Sequence, residues 1–324
     1  MVFFQAYPPD FVKRISVVTP TYNEEENVRE VYRQTKDVFA ALPGYQYEHL
    51  FIDNASTDRT VAVLREIAAA DPHVKIIVNA RNFGHIRSPH HGLLQTTGDA
   101  TVLLFADLQD PPQLITEFVK QWENGFKAAL GVKDNSDESW LLFGIRKLYY
   151  RLVTGLSGTR LIRNFTGFGL YDRCIIDVLR TIDDPYPYFR GLVMEIGFEP
   201  ALISYHQRAR KRGITKNNFY TLYDIAMLGI TSHSRVPLRM ATMLGFTLSF
   251  MGMLAGFGYL VAKLLFWNVF SAGIAPIVIG GFVFLSMQLF FIGLLGEYIA
   301  AIHTQVLKRP LVVEKERINF DTTV

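Results

Sequence analysis

Two long apolar runs in the last third of the chain constrain its fold more than any other feature. Residues 240–262 and 274–296 each hold about 23 consecutive residues without a charge. As helices, both runs would extend about 35 Å, enough to cross a bilayer core of roughly 30 Å. A hairpin buried in a soluble core is the alternative. Two uninterrupted runs of this length favour two membrane-spanning helices, at about 239–266 and 273–302.

Basic residues around these runs predict their orientation. Five of them flank the runs on the side away from the connecting turn, namely Arg235, Arg239, Lys308, Arg309 and Lys315. The turn itself, 266–273, has no lysine or arginine. By the positive-inside rule, both ends of the hairpin face the cytosol. Residues 1–14 contain no apolar signal-peptide core, so we expect the N-terminal part to stay in the cytosol as well.

The chain before about residue 234 has a different pattern, in which short β-rich runs alternate with helical stretches. The predicted strands are 15–19, 49–53, 75–78 and 101–105, and the predicted helices are 26–39, 60–69 and 88–96. This alternation predicts an α/β domain with a mostly parallel sheet covered on both faces. Ligands of such sheets bind beyond the carboxyl ends of the strands.

Composition excludes several classes of protein. The formal net charge of +3 is too small for the dense basic face of a nucleic-acid-binding protein. Cys174 is the only cysteine, so neither an intrachain disulfide nor a cysteine zinc site is expected. Hydrophobic residues make up 49% of the chain, in agreement with a membrane-anchored domain.

Polar residues follow each of the four predicted strands. After the fourth strand, Asp107 and Gln109 offer hard oxygen ligands that suit Mg²⁺ or Mn²⁺ bridging a diphosphate. Pro111 then fits the start of a helix, which we expect Asp110 to cap. After the second strand, Asp53 is suited to accept hydrogen bonds from the edge of a nucleobase. The segment 20–24 supplies an aromatic ring and polar groups on the neighbouring strand.

Together these motifs resemble family 2 glycosyltransferases with the GT-A nucleotide-sugar-binding fold. The chain is most similar to the polyprenyl-phosphate branch, which contains dolichyl-phosphate mannose synthase and the bactoprenol glucosyltransferases. The resemblance covers nearly the whole chain, including the two-span tail. It rests on Val-Thr-Pro-Thr-Tyr-Asn-Glu-Glu-Glu-Asn at 18–27, Asp-Asn-Ala-Ser-Thr-Asp at 53–58, Arg-Asn-Phe-Gly at 81–84, Asp-Leu-Gln-Asp-Pro-Pro at 107–112, and the segments 148–152, 210–216 and 237–239.

The resemblance implies a role for each candidate residue. The donor nucleotide would be bound by Pro20, Tyr22, Asn23, Glu24, Asp53, Ser56, Arg81 and His85. Asp107 and Gln109 would hold the metal, and Asp107, Arg210 and Lys216 would be the catalytic residues, the last two on a loop that closes over the phosphates. Lys133 and Arg146 would face the acceptor phosphate.

Three departures from the family pattern bear on the chemistry. Phe105 stands where relatives carry the first acid of Asp-Ala-Asp, and His85 stands where they carry a lysine. Gly167 and Gly169 stand where relatives carry the aspartate and arginine of Asp-Phe-Arg-Leu. The loss of a base favours a phosphate acceptor over a sugar hydroxyl, because a phosphate monoester with a second pKa of about 6 is already largely a dianion at neutral pH.

The expected function is inverting transfer of a sugar from a nucleotide sugar, with a UDP-sugar favoured, to polyprenyl phosphate for cell-envelope glycan assembly. Two alternatives stay open: a non-catalytic relative that binds a nucleotide sugar or lipid phosphate, and a membrane glycosyltransferase with a saccharide acceptor. A processive synthase is disfavoured because no Gln-x-x-Arg-Trp motif precedes the spans. A homo-oligomer is left open.

The expected organisation has three parts. A cytoplasmic GT-A catalytic domain comprises residues 1–234 and ends in an interfacial helix at about 216–234. The two transmembrane helices occupy 235–307, and a cytoplasmic tail comprises 308–324. The resemblance implies an integral membrane protein of the bacterial inner-membrane type.

Overall fold

The computed structural model describes residues 12–134, 162, 164–207, 236–266 and 274–320. These fall into two compact units. The first unit contains Met1–Lys147, Thr159–Asn217 and Leu307–Val324, and the second contains Leu148–Gly158 and Asn218–Val306. The predicted interfacial helix at 216–234 and the basic residue Arg235 lie outside the described residues.

The first unit is built on one sheet, which has eight strands within the described residues. Their order across the sheet is β7-β5-β6-β4-β1-β2-β3-β8. The strands are β1 Arg14–Thr21, β2 Gln46–Asp53, β3 Val74–Asn79, β4 Ala100–Leu103, β5 Ala128–Lys133, β6 Phe165–Asp172, β7 Ala201–Tyr205 and β8 Glu314–Ile318.

Strand direction decides which loops meet. The central strands β3, β2, β1 and β4 are mutually parallel, β6 is antiparallel to β4, and β5 is antiparallel to β6. Because β7 is parallel to β5, the strands β1 to β5 and β7 all end at the same side of the sheet, which we call the carboxyl edge. The antiparallel strands β6 and β8 begin at that edge.

Helices cover both faces of this sheet, because successive side chains of a strand point to opposite faces. Ile15 and Val17 of β1 pack with Phe118 on one face, whereas Val18 packs with Leu93 on the other. The helices of the first unit are α1 Val28–Ala40, α2 Thr60–Ala70, α3 Gly84–Leu94, α4 Ile115–Glu123, α5 Arg173–Thr181 and α6 Phe189–Glu195. The predicted α/β fold with a mostly parallel sheet is confirmed.

The element boundaries agree with the predicted ones except around α3. We expected this helix to comprise residues 88–96. It begins four residues earlier in the structure, at Gly84, and Pro89 lies inside it. Consequently His85 belongs to the first turn of a helix that starts at the carboxyl edge.

A strand near the C-terminus was not predicted. We assigned 308–324 to a tail, but β8 within it pairs antiparallel with β3. The Ala80 amide donates to the Val313 carbonyl at 2.8 Å, and His91 Nε2 lies 2.6 Å from Glu314 Oε1. The strand is charged and half exposed, as is typical of an edge strand. Because it contains no apolar run, the sequence pattern did not indicate it.

The second unit contains the two long apolar helices in its described part, α7 Val236–Leu265 and α8 Ile274–Val306. Both are long and apolar enough to cross a membrane: 240–258 has a mean hydropathy of 1.5 and 283–306 one of 1.7. Among the residues of these windows whose exposure the structure describes, none is buried. Large apolar side chains such as Phe246 and Phe290 are exposed, as expected for surfaces that lie in lipid.

A buried carboxylate ties three strands and a turn together. Glu48 of β2 is only 4% exposed, and its carboxylate accepts hydrogen bonds from Ser16 Oγ at 2.6 Å and the Thr97 amide at 2.8 Å. Its other oxygen lies 2.7 Å from Lys75 Nζ. Burial alone would raise the pKa of Glu48, but the bonds from Lys75, Ser16 and Thr97 outweigh it and lower the pKa.

We therefore expect Glu48→Ala to lower the free energy of unfolding by about 3 kcal/mol at neutral pH, because it leaves Lys75 and the Thr97 amide without partners. Glu66→Ala, which removes an exposed ion pair with Arg29, serves as the control and should cost less than about 0.5 kcal/mol. Thermal unfolding of the full chain in detergent measures both variants.

The same measurement has a pH dependence with a definite sign. A carboxylate whose pKa is depressed on folding contributes stability above its unfolded pKa of about 4.3, and the contribution is lost as pH falls through the folded pKa. The difference in the free energy of unfolding between wild type and Glu48→Ala should therefore become smaller below about pH 4. A gap that stays constant with pH would contradict this role for the Glu48 charge.

Candidate active site

The loops after β1 and β2 are joined by a set of short hydrogen bonds. The Asn23 side-chain oxygen accepts from the Thr57 amide at 2.8 Å, and the Asn23 amide donates to Ser56 Oγ at 2.9 Å. The Glu24 amide donates to Thr60 Oγ1 at 2.9 Å. Asn23 and Ala55 both have positive φ angles, of 56° and 61°. Such strained conformations cluster at functional sites, and here they shape two adjoining loops at the carboxyl edge.

Asp53 organises this pair of loops from the inside. It is fully buried, and its carboxylate accepts from Ser56 Oγ at 2.5 Å, the Ser56 amide at 2.9 Å and Thr21 Oγ1 at 3.3 Å. Burial raises its pKa, and these hydrogen bonds oppose the rise. Asp53 and Ser56 therefore hold the loop in shape, while Pro20 and Tyr22 lie half-exposed beside them. Contact of these residues with a nucleotide stays a prediction.

Asn54 is a site residue that the sequence analysis did not single out. Its side-chain oxygen accepts from the Phe83 amide at 2.8 Å and from Asn79 Nδ2 at 3.2 Å. Its Nδ2 donates to Asn82 Oδ1 at 2.9 Å and to the Gly84 carbonyl at 3.1 Å. Asn54 thus fixes the loop after β3 to the loop after β2. Its place directly after Asp53 at a strand end was the one available signal.

Arg81 and His85 lie on the loop that Asn54 holds. The Arg81 guanidinium stacks on the Phe83 ring at 4.0 Å from the ring centroid, and Arg87 approaches the same ring at 5.4 Å. Desolvation and the positive charge of Arg190 lower the pKa of His85. Both effects favour the neutral form of the His85 imidazole.

Asp107 and Gln109 lie together on a tight turn after β4. Asp107 Oδ1 accepts from the Gln109 amide at 3.2 Å, and Leu108 between them has a positive φ of 56°. Both side chains are partly exposed. Phe105 is different, since its ring packs with the apolar cluster around Leu103 and offers no ligand.

This turn fits a hard divalent cation that is shared with a substrate. Asp107 and Gln109 present hard oxygen atoms, and the described residues contain no group of three histidine, cysteine or acidic side chains. Mg²⁺ is commonly bound by one or two protein ligands together with substrate phosphates, so the donor set suits a cation that binds with a diphosphate.

Lys133 ends β5, and its charge interacts with the charges of Asp110 and Asp107. Burial lowers its pKa, the negative charges of Asp110 and Asp107 counteract that effect, and Arg190 adds to it. Lys133 forms no ion pair with any described residue. The expected cap at Asp110 is wrong: Asp110 is buried and accepts a hydrogen bond from the Tyr205 hydroxyl, and the short helix after it has no side-chain cap.

The two glycines that depart from the family pattern are fixed by the backbone. Gly167 has a φ of 109°, and its carbonyl accepts a hydrogen bond from the Tyr171 hydroxyl at 2.6 Å. A Cβ atom at Gly169 would lie 2.6 Å from the Ala129 carbonyl oxygen. A larger residue at Gly169 would require the strands to move, and a non-glycine residue at Gly167 would be strained by the positive φ angle.

Replacing Gly169 with the arginine of the family pattern should therefore disrupt folding. We expect Gly169→Arg to reduce the yield of folded protein, and Gly169→Ala to lower the free energy of unfolding by about 2 kcal/mol, because the new Cβ meets a backbone carbonyl. Gly44→Ala is the control, since nothing lies within 4 Å of a Cβ built there. Thermal unfolding checks both alanine variants, and a Gly169→Ala protein as stable as Gly44→Ala would contradict the steric argument.

The remaining candidate residues, Arg146, Arg210 and Lys216, lie outside the described residues. Of the others, the structure brings Asp107, Gln109 and Lys133 to one part of the carboxyl edge. It brings Asn23, Glu24, Asp53 and Ser56 to an adjoining part, with Arg81 and His85 on the loop beside them.

Comparison with known proteins shows the family to which the chain belongs. The model of glycosyl transferase family 2 matches residues 16–180, and the chain belongs to this family. It is 33% identical to the uncharacterized glycosyltransferase YkcC of Bacillus subtilis, over 94% of both chains. It is 30% identical to the bactoprenol glucosyl transferase of Shigella phage SfX, over 94% of this chain and 99% of that one. It is 29% identical to a prophage bactoprenol glucosyl transferase homolog of Escherichia coli, over 93% and 98%.

Family membership confirms that the protein is a glycosyltransferase with a GT-A-like α/β fold. It also confirms the resemblance on which the candidate residues were chosen. The assignment of individual residues to donor, metal and acceptor is a separate matter and is a proposal.

Proposed function

We propose that the enzyme transfers a sugar from a nucleotide sugar, a UDP-sugar by preference, to the phosphate of a polyprenyl phosphate. The single observation that carries this proposal is a pair of cations, Lys133 at the end of β5 and Arg190 beside the start of β6, which pair with no carboxylate among the described residues. Unpaired cations at a substrate edge suit an anionic substrate on the side away from the nucleotide loops. The relatives named bactoprenol glucosyl transferases support the same acceptor class.

The donor would lie along the carboxyl edge. Its nucleoside would rest against the loops of Tyr22 and Asp53, and its diphosphate would reach the turn of Asp107 and Gln109. A divalent cation, Mg²⁺ or Mn²⁺, held there would supply charge neutralisation to the leaving nucleoside diphosphate. The rigid turn around Leu108 orients these two ligands before the donor arrives.

The chemical step is a single inverting displacement. An oxygen of the acceptor phosphate forms a bond to the anomeric carbon, and the bond from that carbon to the nucleoside diphosphate breaks, with the electron pair leaving on the diphosphate. The acceptor dianion requires no proton transfer to become a nucleophile, which suits a site with Gly167 where relatives carry an acid. Lys133 would hold the acceptor phosphate in line.

The two apolar helices support a lipid acceptor. An enzyme anchored by α7 and α8 would meet a lipid-linked phosphate in the same membrane. The proposed organisation keeps the domain 1–234 and both termini in the cytosol, with the hairpin at 235–307. The C-terminal part of the chain then returns to the sheet through β8 rather than forming a free tail.

A transfer assay tests the proposal. Full-length protein in detergent is mixed with polyprenyl phosphate, Mg²⁺ or Mn²⁺, and a panel of labelled nucleotide sugars. One donor should give a lipid-linked sugar, and Asp107→Asn should lower the rate by about 100-fold or more. Removal of the metal with a chelator should stop the reaction, and either cation should restore it.

Asp37→Asn is the matched control, because Asp37 is an exposed acid paired with Arg33 on α1. It should leave the rate unchanged. Transfer to a free saccharide with none to polyprenyl phosphate would contradict the proposed acceptor. Full activity of Asp107→Asn would contradict the proposed metal site.

A further inference from the structure

Arg190 lies at the carboxyl edge although it comes from a helix that no motif marks. It is the second residue of α6, and its Nη1 donates to the Phe165 carbonyl at 3.2 Å. Phe165 begins the antiparallel strand β6, so this contact is at the same edge as the end of β5. The neighbouring residue Asn164 accepts from the Lys133 amide at 3.3 Å. Arg190 and Lys133 are therefore neighbours through two adjacent strand ends.

The start of α6 is held firmly in this place. The ring of Phe189 packs edge-on against Tyr171 at 5.1 Å and lies 6.2 Å from the ring of His90 in α3. The Arg190 guanidinium lies 5.2 Å from the centroid of the Tyr188 ring. These contacts restrict the side chain, so its remaining N–H groups are presented in a limited set of directions.

The charge of Arg190 is not balanced by a carboxylate in the described part of the chain. Burial lowers the pKa of Lys133 and of His85, and the positive charge of Arg190 adds to this effect on both groups. Placing the Lys133 and Arg190 cations near each other costs free energy, and an anion bound between the two would recover it. A guanidinium with free donors beside a lysine is well suited to the oxygens of a phosphate.

The order of strands indicates which phosphate this is. From the nucleotide loops after β2 and β1, the sheet continues to β4, which carries the Asp107 turn, and then to β6 and β5. Arg190 and Lys133 therefore lie beyond the proposed diphosphate position. An acceptor must approach the anomeric carbon from the side opposite the leaving diphosphate, and that is the side of β6 and β5.

We propose that Arg190 binds the acceptor phosphate together with Lys133. This inference rests on the proposed function, in which the acceptor is a lipid phosphate. It adds a recognition residue outside the sequence motifs and assigns the first turn of α6 to acceptor binding.

Direct binding measurements test this assignment separately from turnover. Full-length protein in detergent is titrated with a short polyprenyl phosphate, with the matching uncharged polyprenol, and with UDP plus Mg²⁺. The variants are Arg190→Gln, Arg190→Lys and the control Arg33→Gln, which removes an exposed arginine of α1. Thermal unfolding confirms that each variant is folded.

Arg190→Gln should weaken polyprenyl phosphate binding by about tenfold or more and leave polyprenol and UDP within about twofold of wild type. Arg190→Lys keeps the positive charge but loses the planar guanidinium group. Its affinity for polyprenyl phosphate should therefore lie between those of wild type and Arg190→Gln. It also carries the test if the glutamine variant does not fold. Arg33→Gln should match wild type for all three ligands.

Three results would overturn the assignment. Weaker UDP binding with unchanged lipid phosphate binding would indicate that Arg190 binds the donor instead of the acceptor. Equal losses for the phosphate and for the polyprenol would indicate a structural role. Unchanged binding of every ligand would remove Arg190 from the site. If instead the lipid phosphate effect is found but no nucleotide sugar gives product, the proposed function fails and the assignment of Arg190 stands.

Discussion

The parallel pairing of the central strands is the constraint on which the rest of the site depends. Thr21 pairs with Asp53 where β1 and β2 end, so the loops after the two strands begin side by side. The Thr21 hydroxyl donates a hydrogen bond to the Asp53 carboxylate at this point. β3 and β4 extend this edge on either side, and β6 adds its beginning because it runs in the opposite direction. The loops after β1 and β2, the Asp107 turn and the Lys133 region follow from that arrangement in a fixed order.

The two halves of the carboxyl edge carry different charged groups. The loops after β1 and β2 carry acids and amides, the loop after β3 carries Arg81 and His85, and the Asp53 carboxylate is hydrogen-bonded within its own loop. Cations without carboxylate partners in the described residues occupy the half proposed for the acceptor. Gly167 sits in the second half with a backbone that a side chain would strain. In the proposed reaction the acceptor's own negative charge therefore makes a protein base unnecessary.

Much of the fold was predictable because apolar runs ending in polar residues are local signals. The four central strands, α1, α2 and both apolar helices were found in this way. Features that depend on distant partners were not. Asp110 was predicted to cap a helix, but its carboxylate accepts a hydrogen bond from the hydroxyl of Tyr205, which is distant in sequence. The strand β8 and Arg190 were missed because their significance comes from β3 and Phe165, which no nearby pattern reveals.

The central claim is that the acceptor phosphate attacks without a protein base, and a pH profile tests it most directly. kcat/KM would be measured against pH with polyprenyl phosphate and with a phosphonate analogue whose second pKa is higher. The account predicts that the acid limb follows the acceptor, near pH 6 for the phosphate and shifted upward for the phosphonate. The same acid limb for both acceptors would assign it to a protein group and contradict the account.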